Sequence, residues 1–208
     1  MKANPERDTR LADGDTRSGF IRAAKRLFAE KGFYGASIAS IATELDLTKQ
    51  ALIHHFGTKE HLYGEVLAQM ADRLSLGVDR VRATDTEPLH QLEELLVNVY
   101  RNSVDHPADS QLLMRELLDN KTRAEHAHSW YMKDFLGLLV GIARNVPGKK
   151  LTKNEALARV YLVLGAINYF AISQPTLTQM YGKNGYATLK DQSAKEIRRM
   201  VREAFGRS

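Results

Sequence analysis

The chain has 208 residues, 43% of them apolar and 26% charged, the proportions of an ordinary globular protein of one or two domains. It contains no cysteine, which excludes disulfides, thiolate metal sites and cysteine nucleophiles. The net charge of +5 invites an anionic partner but is unevenly spread, at +2 over residues 1–60, −6 over 61–120 and +9 over 121–208, so bulk charge does not locate a binding surface.

Periodicity is helical along nearly the whole chain, with no sustained alternation of apolar and polar residues, and the expected class is all-α. Residues 1–14 read as a flexible tail. A helix then starts near Asp15 or Thr16, with Phe20, Ile21, Ala24, Leu27 and Phe28 on one apolar face. It ends at Lys31-Gly32, where glycine can supply a left-handed residue. Ser37 can cap a short second helix carrying Ile38, Ile41, Ala42 and Leu45. Asp46 and Leu47 make a tight turn, and Thr48 can cap a third helix over about Lys49 to His55. Gly57-Thr58 restarts the chain as a longer helix, about 59–83, with Leu62, Val66, Met70 and Leu74 or Leu76 along its buried side.

Two short helices across a four-residue turn form the unit that lays its second helix in the DNA major groove. Ala51, Leu52 and Phe56 are placed to pack inward, while Lys49, Gln50 and His54 project outward. Gln50 has the amide that pairs with adenine, and Thr48 leaves backbone N–H groups for a phosphate. Lys59, a cation in the first turn of a helix, opposes the helix dipole and calls for an anion such as a DNA phosphate. The adjacent His54 and His55 point about 100° apart on a helix and do not suit one metal ion. No nucleophile or acid completes a catalytic set around them, and no enzyme activity, cofactor or metal is expected.

The stretch SIASIATELDLTKQALIHHFGTKEHLYGEVL resembles the DNA-binding region of TetR-family transcriptional repressors. Ile41-Ala42, Thr48-Lys49, Leu52, His55-Phe56, Lys59-Glu60 and Leu62 carry the match, and AAKRLFAEKGFYGASI resembles the family's first helix. The likeness covers about residues 16–67. It implies a three-helix DNA-binding domain, residues 15–63, joined through the fourth helix to a helical effector-binding and dimerisation domain, residues 64–208. It implies double-stranded DNA contact by Ser37, Thr48, Lys49, Gln50, His54, His55 and Lys59, with His55 mostly in the packing. Three positions depart from the family's pattern. Asp46 replaces a usual glycine but tolerates the left-handed region. Leu45 replaces a usual alanine, which implies altered helix packing. Ile53 replaces a phosphate-contacting tyrosine, and that contact is expected to be missing.

After RATDTEP, larger amphipathic segments follow at about 88–104, 108–119, 125–145, 153–174 and 187–205, separated by DHP, DNKTR, VPGKK and QPTLTQMYGKNGY. The family likeness implies a small-molecule effector here, and the candidates for a largely hydrophobic cavity are Leu96, Tyr100, Leu117, Trp130, Phe135, Tyr161 and Asn168. Glu125, His126 and His128 do not fall on one helical face and argue against a metal site. Apolar stripes of Leu157, Val160, Leu164, Ile167 and Ala171, and of Ile197, Met200, Val201 and Phe205, suit a two-fold interface.

The expected function is therefore a sequence-specific DNA-binding regulator, a homodimeric repressor released from a palindromic operator by its effector. The alternative is a helical protein that binds lipid or a membrane surface through an apolar cavity and a basic C-terminal helix. The runs FLGLLVGIA and YLVLGAINYFAI are shorter than the roughly 18–20 residues that cross a bilayer, and the polar start lacks a secretory segment. A cytoplasmic protein is expected, with no membrane partner.

Overall fold

The computed structural model describes residues 13–84, 86–118, 132–148 and 150–206. Among these residues there are nine α-helices and no strand. They divide into two compact units, one ending at Leu67 and the other beginning at Ala68. The tail expected over residues 1–14 lies mostly outside the described residues.

The smaller unit holds α1 (Asp13–Gly35), α2 (Ile38–Thr43), α3 (Lys49–Phe56) and the first part of α4 (Lys59–Thr84). Phe20, Ala24, Leu27 and Phe28 of α1 bury against Ile41, Ala42, Leu52, Phe56, Leu62 and Val66, all nearly inaccessible to solvent. The expected end of the first helix is a break at Gly32, whose φ of 72° and ψ of 173° only glycine adopts readily. Asp46 takes the left-handed conformation expected of it, with φ of 55°. Leu45 is accommodated by Gly19, where an added Cβ would stand 3.4 Å from a Leu45 methyl.

The larger unit holds the rest of α4 with α5 (Pro88–Asp105), α6 (Pro107–Leu118), α7 (Lys133–Arg144), α8 (Lys153–Ile172) and α9 (Gln174–Phe205). Helix α5 packs against α6, α7, α8 and α9. Its Leu92, Leu95, Leu96 and Tyr100 meet Phe135, Leu139, Val160, Ile167, Ile197, Val201 and Phe205 in one core. The Tyr100 hydroxyl donates to the Lys190 carbonyl oxygen at 2.7 Å, and burial pushes it up to about 12. Glu93, 2% exposed, accepts a two-point ion pair from Arg202 at 2.7 and 2.9 Å and ties α5 to α9.

One expectation is corrected in this unit. QPTLTQMYGKNGY is not a linker but the start of α9, with Pro175 in its first turn and a break at Gly182 (φ 71°, ψ 169°). Proline in the first turn sacrifices no helical hydrogen bond, and Gly182 repeats the backbone conformation of Gly32. Helix α8, 20 residues with a mean hydropathy of 1.4 over its most apolar window, is long and apolar enough to cross a bilayer, although neither apolar run alone is. Seven of its residues, from Ala156 to Ala171, are buried in the unit's own core.

Candidate nucleic-acid interface and effector cavity

Helix α3 is fixed at both ends. The Ala51 amide donates to the Thr48 hydroxyl at 3.2 Å, and Gly57 closes the helix with a positive φ of 68°. Helix α2 begins with a reciprocal cap, in which the Ser40 amide donates to Ser37 Oγ at 2.9 Å and the Ser37 amide to Ser40 Oγ at 3.1 Å. With the caps set, α3 has two faces. Leu52 and Phe56 are buried, whereas Thr48, Lys49, Gln50, Ile53 and His54 are exposed. His55 is half-buried, its ring 5.7 Å from that of Phe20. The histidine pair thus divides as the sequence suggests, one packed and one presented.

Lys59 has acceptors within the chain. Its ammonium donates to the carbonyl oxygens of Phe33 and Ala36 at 2.9 and 3.1 Å and lies 4.3 Å from the centre of the Phe33 ring. Within the chain the carbonyl end of α1 answers it, a favourable place for a cation. Lys59→Ala is expected to destabilise the smaller unit by about 1–3 kcal/mol, because two carbonyls lose their donor. A thermal melt checks this. An unchanged melt, with operator affinity lowered equally for all sequences, would instead make Lys59 a phosphate clamp.

Sequence reasoning missed Arg17. It pairs with Glu65 at 2.7 Å and lies 5.1 Å from the centre of the Phe56 ring, joining α1, the end of α3 and α4. The Arg17 guanidinium holds the Glu65 carboxyl below the usual carboxylate range, with a smaller contribution from His61. No local pattern announces a contact between residues so far apart in the chain.

Residues 20–66 match the family model described as bacterial regulatory proteins, tetR family. The chain belongs to the TetR family. It is 25% identical over 160 residues to the transcriptional repressor NicS of Pseudomonas putida, covering 74% of each chain. It is 28% identical over 110 residues to the transcriptional activator FasR of Mycolicibacterium smegmatis, covering 53% of this chain and 50% of that one. In fold it is similar to the fatty acid degradation regulator FadR of Bacillus halodurans, at 16% identity and a TM-score of 0.66 over 97% and 96% of the two chains. This TetR-family chain is thus a DNA-binding transcriptional regulator, from a group whose named members include both repressors and activators.

The larger unit holds a partly open cavity of about 370 Å³, lined from α4 to α8. Four of the sequence candidates line it, namely Leu117, Phe135, Tyr161 and Asn168. Leu96 and Tyr100 do not, being fully buried in the core beside it. Trp130, with Glu125, His126 and His128, lies outside the described residues. Met70, Arg73, Val99, Asp109, Ser110 and Met114 also line the cavity and were not read from the sequence. An ion pair between Arg73 and Asp109, 3.2 Å long, crosses from α4 to α6 in its wall.

The residues expected at a two-fold interface mostly serve the unit's own core. Val160, Ile167, Ala171, Ile197, Val201 and Phe205 are buried there, Leu164 is nearly so, and Met200 is half-buried. Leu157 keeps appreciable exposure. Helix α8 is apolar on two sides, with Val160, Leu164, Ile167 and Ala171 on the inward one. The outward one carries Tyr161, Leu162, Gly165 and Tyr169.

The basic face of α9 is engaged as well. Arg198 pairs with Glu94, Arg199 with Glu196 and Glu203, and Arg202 with Glu93. The lipid-surface alternative drew on these charges, which carboxylates of the chain itself already answer.

Proposed function

We propose that the protein is a homodimeric repressor acting in the cytoplasm, released from its operator by a small, largely hydrophobic effector. Two copies set their α3 helices in successive major grooves of a palindromic site, through residues 15–63. Residues 64–208 bind the effector and dimerise. The observation that carries the reading is the division of α3, with Leu52 and Phe56 buried and Thr48, Lys49, Gln50 and His54 free to meet DNA. Ser37, at the cap of α2, and half-buried His55 complete the DNA-facing set, and Lys59 supports it from within. Repression is the action named for NicS, which matches three quarters of the chain.

The mostly apolar cavity fits an organic effector. Helix α4 supplies Leu62 and Val66 to the smaller core and Met70 and Arg73 to the cavity wall, so a ligand that moves α4 would favour a state unfit for the operator.

Selection of random double-stranded DNA on the purified protein tests the proposal. An enriched inverted repeat is expected, with affinity falling steeply as salt rises. Gln50→Ala is expected to relax preference at one position of each half-site by about 1–3 kcal/mol while leaving the salt dependence intact. Absence of enrichment at low salt by a folded dimer would sink the reading.

A further inference from the structure

The cavity in the larger unit carries an unusual set of polar groups. Its two charged side chains, Arg73 and Asp109, are paired with each other at 3.2 Å, so among the described residues the wall offers no net charge. A carboxylate entering would compete with Asp109 for Arg73, and an ammonium would compete with Arg73 for Asp109. Either gains less than it would at an unpaired ion, because each charge already has a partner in this half-exposed pair. The remaining polar lining consists of neutral hydroxyls and amides.

One of these is unsatisfied. Ser110, next to Asp109 on α6, is 2% exposed, and its hydroxyl has no hydrogen-bond partner among the described residues. Buried hydroxyls almost always have one, and a bound oxygen would supply it. The cavity volume of about 370 Å³ lies at the small end of the range for organic ligands, roughly 300–1,000 Å³.

We infer that the cavity selects an uncharged, largely apolar molecule bearing a hydrogen-bonding oxygen, such as an alcohol or ketone, and that the Ser110 hydroxyl is the partner of that oxygen. The inference rests on the reading of the cavity as the effector site and names the chemical class that it takes.

Isothermal titration of the full-length protein with octan-1-ol, octanoate and octylammonium separates the possibilities, since the three share one chain and differ in the head. Octan-1-ol is expected to bind at least about tenfold more tightly than either charged chain. Ser110→Ala is expected to weaken octan-1-ol binding about five- to tenfold, the effect of one neutral hydrogen bond. Its melt should not fall, because the substitution removes a hydroxyl that no described residue satisfies. Tighter binding of octanoate or octylammonium, or equal octan-1-ol binding by Ser110→Ala, overturns this inference alone. Failure of all three chains to bind overturns the effector-cavity reading and this inference with it.

Discussion

Leu162→Glu combined with Tyr169→Glu is expected to leave a folded monomer whose operator affinity has fallen about 100-fold or more. The two side chains are each 72% exposed, on a helix whose other side is buried in the core. With Ala158, Tyr161 and Gly165 they follow the helical repeat along one outward stripe. Tyr161, Gly165 and Tyr169 also border the cavity, whereas Ala158 and Leu162 do not and belong to the outward stripe alone. Two carboxylates on each copy would face their counterparts across a two-fold contact and repel. The loss in DNA binding follows because tethering two heads raises avidity about 10²–10⁴-fold over one. Light scattering reads the mass and a gel-shift titration reads the affinity. A variant that remains dimeric and binds as before would move the interface off α8.

The parts of the fold legible in the sequence are those set by neighbours in the chain. Ser37 and Thr48 cap their helices through residues three positions on, and Asp46 makes its turn within four residues. Gly32 and Gly182 share one backbone conformation, yet the first was read as a helix end and the second as part of a loop. Pro175 made the difference, because a proline near two glycines reads as loop when it can equally open a helix.

What the sequence withheld depends on residues distant in the chain. The acceptors that Lys59 has within the chain are carbonyls 23 and 26 residues earlier. The same distance hides Arg17 against Glu65, Glu93 against Arg202, and Arg73 against Asp109. For α8 the difficulty was different. Its apolar residues cover both sides, so periodicity identified a broad stripe without saying which edge meets the core and which meets a partner.

Phe56→Ala is expected to destabilise the smaller unit by about 3–5 kcal/mol and abolish operator binding. Phe56 is 3% exposed, ends the reading helix, meets Phe20 edge-on at 6.2 Å and lies beneath the Arg17 guanidinium. Its truncation opens a cavity among α1, α3 and α4 and removes the ring over which Arg17 sits while it pairs with Glu65. Little in a unit of about fifty residues can offset such a loss, because its core is small. The larger unit has its own core and shares no residue of this cluster, so octan-1-ol titration should give an unchanged affinity. Circular dichroism during a melt would show part of the helical signal lost at lower temperature while the rest melts as in the parent. A single transition shifted as a whole, with ligand binding lost too, would mean that the two units unfold together through α4.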